Sequence, residues 1–359
     1  MAVYTTIDDP SAYFKIQLYT GNGSDNHAIT FDDTDTDMQP DAVWIKNRDA
    51  TDNHCLFDAA RGVGKIMHTN TTSGNEVDDD DTLDAFQSDG FRVDDDDKVN
   101  TNTEDYVAWC WKAGGGSGSS NTTGTINTTT TTVNTTSKFS ISTYTGNDTG
   151  GGNFGHGLGA VPHFLWVAQK NTGDSYRVYH HKNTSAPETD YLVLDTDAAT
   201  IDSNVQWNDT APSSTIITLG TSGNVNESAH TYVSYAWSEV QGFSKFGKYT
   251  GNGNADGPFI YLGFRPNLFI VKSTGTNSWF AFSDPLHTNG YYGGNRIYLN
   301  ENNVESTNGD VYEIKEFLSN GVKIASSHGG ANTSGQDYIY MAFAKAPLVN
   351  SEGVPGNAG

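Results

Sequence analysis

The chain is poor in the residues that disulfide-bonded, helical or membrane-spanning proteins depend on. Its 359 residues include 2 cysteines, 4 methionines and only 20 Lys+Arg, and the helix-favouring Leu, Ala, Glu and Lys are sparse. Two cysteines, Cys55 and Cys110, exclude a framework of disulfides and argue against a cysteine-built metal centre; two buried free thiols are expected. No run of 18 apolar residues occurs, so no membrane-spanning helix and no membrane insertion are expected. The N-terminus, Met1-Ala-Val-Tyr-Thr-Thr-Ile7, lacks a basic region ahead of an apolar run and does not read as an export signal. The few basic residues face 43 Asp+Glu, a net charge of −23 that sets the chain against nucleic acid and anionic membranes. A cation or a neutral glycan suits it better. There is no Gly-X-Ser-X-Gly elbow, His-Glu-X-X-His, Cys-X-X-Cys or phosphate loop, and the chain is expected not to be an enzyme.

Glycine (39 residues), Thr, Asn and Asp are abundant, and 12% of the residues are aromatic, enough for several modest cores. This is an all-β composition. Its order is a triplication. Tyr-Thr-Gly-Asn begins at Tyr19, Tyr144 and Tyr249, and a tyrosine opening an alternating apolar strand follows 87, 88 and 89 residues later, at Tyr106, Tyr232 and Tyr338. Between these anchors a proline stands four residues before a large apolar residue: Pro40 and Trp44, Pro162 and Trp166, Pro266 and Ile270. A period of about one hundred residues is too long for a solenoid unit and suits a small domain.

The expected organisation is an N-terminal attachment strand (1–18), β-module 1 (19–113), a Gly/Ser/Thr/Asn-rich linker (114–138), β-module 2 (139–242), β-module 3 (243–347) and a C-terminal tail (348–359). The linker composition buries too little surface to offset chain entropy, so it is expected to be mobile unless a neighbour orders it. Modules 2 and 3, joined by the short aromatic stretch Glu239–Lys248, are expected to form a rigid pair, with module 1 apart and the whole a rod.

Within a module, strands follow from period two. In the closing strands, Val107, Trp109 and Trp111 alternate with Tyr106, Ala108 and Cys110. Val233, Tyr235 and Trp237 repeat the pattern, as do Ile339, Met341 and Phe343, so these strands should be covered on both faces. The near-continuous apolar runs 42–46, 164–168 and 268–272 mark central strands. Asp89-Gly90 and Asn320-Gly321 between apolar runs signal hairpins, with both turn residues expected at positive φ; Thr221–Asn224 carries a weaker version. The fold expected is three tandem antiparallel β-sandwich modules of jelly-roll kind.

Few residues invite chemistry. Asp33, Asp35 and Asp37 offer hard oxygen ligands, making Ca²⁺ the one candidate ion where no cofactor is otherwise expected, although no stretch fits a twelve-residue calcium loop. His180-His181 should point to opposite faces of a strand, and Gly155–Gly159 reads as a turn. Paired carboxylates for glycoside hydrolysis have no privileged members among 43. Trp207, Trp279, Tyr291 and Tyr292 are the candidate glycan-contact aromatics, against the alternative that they cap the sandwich cores.

Several segments look like those of virion structural proteins of marine and freshwater tailed bacteriophages. They are Thr5–Phe14, Pro40–Arg48, Leu56-Phe-Asp-Ala-Ala-Arg-Gly62, Ser88–Phe91 and Tyr106-Val-Ala-Trp-Cys-Trp-Lys-Ala-Gly114, with Gly155–Pro162, Trp207–Pro212, Tyr249–Gly253 and Tyr338–Ala344 later in the chain. The resemblance implies a virion protein assembled in the bacterial cytoplasm, with other virion proteins of tail or capsid as partners. The leading expectation is a tail-fibre or receptor-binding component, a homo-oligomer with a trimer favoured, meeting a host glycan or outer-membrane receptor. The alternative is a head-decoration protein protruding from the capsid, and a polysaccharide depolymerase is a third reading.

Overall fold

The computed structural model describes residues 4–31, 36–72, 75–286, 295–307 and 314–356. With 43% of the chain in strands and 6% in helices, the fold is all-β. The first module contains β1 (Phe14–Thr20), β2 (His27–Thr30), β3 (Ala42–Asn47), β4 (Cys55–Asp58), β5 (Gly62–Met67), β6 (Val77–Asp78), β7 (Leu83–Gln87), β8 (Gly90–Val93) and β9 (Asp105–Trp111). The second contains β10 (Thr128–Asn134), β11 (Phe139–Thr145), β12 (Asn153–Gly155), β13 (Phe164–Gln169), β14 (Arg177–His180), β15 (Asp190–Val193), β16 (Ile201–Asp202), β17 (Ile216–Thr218) and β18 (Thr231–Trp237). The third contains β19 (Ser244–Thr250), β20 (Phe259–Tyr261), β21 (Phe264–Ser273), β22 (Trp279–Ser283), β23 (Ile297–Tyr298), β24 (Ile314–Leu318), β25 (Gly321–Ile324) and β26 (Asp337–Pro347).

Each module has a large antiparallel sheet whose shared strand order is β1-β9-β3-β4-β5, β11-β18-β13-β14-β15 or β19-β26-β21-β22-β23. A small sheet faces it: β2-β8-β7, β12-β17 or β20-β25-β24. The Tyr-Thr-Gly-Asn motif earns its place at the end of the first strand. Tyr19 pairs in register with Tyr106, Tyr144 with Tyr232 and Tyr249 with Tyr338, the rings stacking at 5.0, 5.1 and 5.1 Å. The first tyrosine of each pair donates its hydroxyl, at 2.7 Å, to the carbonyl of Val99, Val225 or Ala331. The glycine follows because a Cβ at Gly21, Gly146 or Gly251 would stand 2.1, 2.3 or 2.3 Å from a carbonyl oxygen of the facing turn. The asparagine N–H of each motif then donates to the side-chain oxygen of a buried asparagine, Asn100, Asn226 or Asn332, at 2.9, 3.0 and 2.8 Å.

The alternation of the closing strands resolves into two different cores. Tyr106, Ala108 and Cys110 face the small sheet, in a core with Val43, Ile45, Phe57, Ile29 and Phe91. Val107, Trp109 and Trp111 face away from it, into a core that also holds Trp166, Val233, Tyr235 and Trp237 of module 2 and Ile270, Ile339, Met341 and Phe343 of module 3. Ring contacts cross every joint: Trp44 to Trp166 at 5.7 Å, Phe164 to Phe246 at 6.0 Å and Trp111 to Phe343 at 5.8 Å.

The modules are therefore neither serial nor separable, and the expectation of a detached first module on a rod fails. Aligning Trp44, Trp166 and Ile270 shows that the same bonds recur at all three joints. Backbone N–H groups of Glu76, Thr200 and Glu305 donate to the carbonyls of Lys170, Thr274 and Arg48, each four residues past its reference residue, at 2.8, 2.9 and 2.9 Å. A second set uses three different side chains. Tyr176 Oη, Trp279 Nε1 and His54 Nε2 donate to the carbonyls of His68, Val193 and Tyr298 at 3.2, 2.8 and 2.9 Å. Module 1 bonds to 2, 2 to 3 and 3 to 1, which closes a ring with approximate threefold symmetry. The accessible surface, 12906 Å², lies below the roughly 14,000 Å² expected of a globular chain of this mass, as a compact ring requires.

The linker is ordered by a neighbour, module 2. Residues 128–134 form β10, which covers the outer edge of β11, and Ile126 is buried against module 2. Hydrogen bonds rather than apolar area hold it. Thr130 bonds Thr143 and Thr131 bonds Ser142, at 2.8 and 3.0 Å between hydroxyls, while Asp41 accepts the N–H groups of Ala113, Gly115 and Gly116 at 2.8, 3.0 and 2.7 Å. The N-terminal residues are likewise built in: β1 is a sheet strand, and Tyr4 donates to Gly263 of module 3 at 2.8 Å. The two predicted hairpins form, but the two central turn residues precede the glycine. Gly90, at φ 119°, is required because a Cβ there would lie 2.0 Å from the Ile29 carbonyl of the adjoining strand. Thr221–Asn224 leads instead into a short helix, Gly223–Asn226.

Candidate functional site

Two constellations of ionisable groups at joints stand out among the described residues. At the joint of modules 1 and 2, Arg61 and Asp58 form a fully buried ion pair, and Tyr235 of module 2 donates its hydroxyl to the same carboxylate. Arg61 also donates to the carbonyls of Leu56 and Lys65 at 2.8 and 2.9 Å and reaches Glu76 at 3.4 Å. Asp58 holds the guanidinium charge in place against the cost of burial, raising the Arg61 pKa. These contacts, with both side chains of the pair fully buried, pin the joint of modules 1 and 2.

The second constellation is open. A cleft of about 800 Å³ between modules 2 and 3 is lined by His163, His181, Lys182, Glu239, Gln241, Lys245, Lys248 and Tyr340 among others. The imidazoles of His163 and His181 meet edge to face at 4.5 Å. His163 Nδ1 accepts the Glu239 N–H at 2.9 Å, and His181 Nε2 donates to the Phe246 carbonyl at 2.7 Å. Beneath them, His180 Nε2 donates to the Tyr340 carbonyl at 3.1 Å while its Nδ1 accepts the Lys182 N–H at 3.0 Å. Burial lowers all three histidine pKa values, that of His181 to about 4 and that of His180 to about 3, and raises that of Glu239. At neutral pH the imidazoles are therefore uncharged, Lys182 and Lys245 carry the positive charge of the cleft beside Glu239, and Lys248 is paired with Asp337 at 3.0 Å.

The other copies do not repeat the histidines: Asp41, which aligns with His163, accepts N–H groups of the linker, and Asp284, which aligns with His181, is paired with Arg265 and Lys345 of its own module.

The predicted site residues do not converge. Trp207 is 1% exposed and donates to the Asp190 carbonyl at 3.1 Å; Trp279 is 2% exposed and spans a joint. Both are core residues and present no face to a glycan. Asp37 is exposed on a loop, and Asp33, Asp35, Tyr291 and Tyr292 lie outside the described residues. Among the described residues no group of three or more His, Cys, Asp or Glu is arranged to hold a metal. His180 and His181 do not point to opposite faces; β14 ends at His180, and both histidines reach backbone carbonyls of module 3. Sequence reading passed over Lys182, Lys245 and Lys248, whose one visible signal was the concentration of scarce basic residues beside the Glu239–Lys248 connection.

A family described as a domain of unknown function (DUF7483) matches residues 9–347, nearly the whole chain, and the chain belongs to it. No curated protein and no solved structure matches.

Proposed function

We propose that this member of the DUF7483 family is a non-catalytic structural protein of a bacteriophage virion, working as a single-chain counterpart of a trimer and seated on a threefold or quasi-threefold position of the particle surface. The carrying observation is the closed ring: two hydrogen-bond sets recur at all three joints, and the module faces that a homotrimer would bury are already buried within one chain. The resemblance of the quoted segments to virion proteins supplies the particle. In each module the chain enters and leaves at one end of the large sheet, where Phe14 pairs with Trp111, and the Tyr-Thr-Gly-Asn turn lies at the opposite end. One end of each module thus carries connections and the other carries loops.

This arrangement favours the head-decoration reading over a fibre shaft, because a shaft needs modules in series. A receptor-binding role remains the second reading, favoured by the open basic cleft at one joint. Cryo-electron microscopy of intact particles tests the proposal. Many single copies at threefold positions of the head support decoration, three or six copies at the tail support receptor binding, and absence from the particle overturns both.

A further inference from the structure

The strand β20 breaks the internal symmetry in a way that the fold does not require. Its central residue, Ile260, is buried and equivalent to Ile29 and Phe154. The residues flanking it in the other copies are Ala28 and Thr30, and Asn153 and Gly155. In module 3 they are Phe259 and Tyr261, 46% and 49% exposed. Residues two apart on a strand share a face about 7 Å apart, so the two rings form one outward platform. Phe259 lies against Gly321, where a Cβ would come within 3.0 Å of its ring, and the Tyr261 hydroxyl lies 3.4 Å from that of Tyr4, so both rings are held to the module while their faces stay exposed.

The platform runs into the basic cleft. Lys245 Nζ sits 5.2 Å from the Tyr261 ring centroid, donates to the Tyr261 carbonyl at 3.0 Å, and also lines the cleft with Lys182 and Lys248. Two lysines, Lys182 and Lys245, thus gather with the carboxylate of Glu239 beside two solvent-exposed aromatics on a molecule of charge −23, while Lys248 is paired with Asp337 at 3.0 Å.

We propose that this surface binds an anionic polysaccharide, with the apolar face of a sugar ring on Phe259 and Tyr261 and carboxylates of the same chain at Lys245 and Lys182. Aromatic faces attract the weakly positive C–H groups of a pyranose. Charge complementarity selects an acidic glycan over a neutral one, since elsewhere the surface repels anions. The inference stands whether or not the protein belongs to a virion.

The test titrates the full chain calorimetrically with a galacturonic acid hexamer and with maltohexaose as the neutral control. The uronate hexamer is expected to bind, to weaken at high salt, and to lose about tenfold or more in affinity in Phe259→Ala, Tyr261→Ala and Lys182→Glu, with maltohexaose weaker throughout. Phe259 and Lys182 are exposed, so these variants should keep the wild-type melting temperature. The proposal is overturned if the hexamer does not bind, if it binds all variants equally, or if maltohexaose binds as tightly. Self-association abolished by Phe259→Ala, without sugar binding, would mean the face meets a second copy instead.

Discussion

The backbone N–H of Glu305 donates to the carbonyl of Arg48 at 2.9 Å, tying the third module back onto the first. The bond repeats what Glu76 does to Lys170 and Thr200 to Thr274, and at two of the joints the same residues also form an ion pair, Glu305 with Arg48 at 2.6 Å and Glu76 with Lys170 at 3.4 Å. Backbone geometry has kept the symmetry at all three joints, while Thr200 and Thr274 lack the ion pair and the side-chain donors Tyr176, Trp279 and His54 differ from joint to joint.

That divergence makes the joints separately testable. Tyr176→Phe removes only the hydroxyl donated to His68, whose carbonyl keeps the Thr71 N–H and hydroxyl at 3.3 Å, and is expected to cost about 1 kcal/mol. Tyr176→Ala also opens a cavity in the shared core and is expected to cost about 3–5 kcal/mol. Urea denaturation measures both, and equal costs would show that the hydroxyl, not the ring, dominates.

The motif glycines should be intolerant. Gly21→Ala, Gly146→Ala and Gly251→Ala each force a Cβ onto a backbone carbonyl and are expected to cost more than about 3 kcal/mol, or to abolish soluble expression. Gly115→Ala, with nothing within 4 Å and φ of 82°, should cost only the strain of that conformation, about 1–2 kcal/mol. Melting temperatures of the four variants give the comparison.

The buried pair at the first joint should be stabilising only as a pair. Asp58→Asn strips the compensating charge from Arg61 and is expected to cost about 3–5 kcal/mol. Asp58→Asn combined with Arg61→Met should recover part of that loss, read by the same denaturation curves.

Acid should loosen the joints. Burial holds His54 and His180 down to about 3 and His156 and His181 to about 4, while the unfolded chain titrates near the ordinary value of about 6.5. Between those limits the unfolded state binds more protons. Stability is therefore full above about pH 6.5 and falls as the pH drops towards 3, by about 1.4 kcal/mol per pH unit for each group that titrates fully. His54 shows why: its Nδ1 accepts the Trp44 indole N–H at 3.0 Å and its Nε2 donates across the joint, so a second proton must break a bond. Buried Asp41 and Asp195, whose pKa values are raised, oppose part of the effect at the acid end. Melting temperature followed from pH 8 to pH 4 should fall steeply, and less steeply in His54→Gln.

The strands, the repeat and the two-sided closing strands were legible because each is local, a matter of period two and fixed spacing. The alternation even separated the two cores, with Trp109 and Trp111 on one face and Ala108 and Cys110 on the other. What that outer face would meet was not legible, since a bulky apolar face looks the same whether it packs on a partner subunit or on the chain's own next module. Which neighbour would order the linker was not legible either. Threonine and asparagine are poor at burying apolar area, but β11 offered an unpaired edge whose hydroxyls and amides they could match. The cleft depends on residues 163, 182 and 245, brought together by the packing of module 3 on module 2.

Scanning calorimetry of the full chain tests the shared core most directly. A ring built on one core should unfold in a single transition whose calorimetric and van't Hoff enthalpies agree, with a total of about 250 kcal/mol by the usual per-residue value. Three resolved transitions, or a calorimetric enthalpy near three times the van't Hoff value, would mean that the modules unfold independently and that the ring is not the unit of stability.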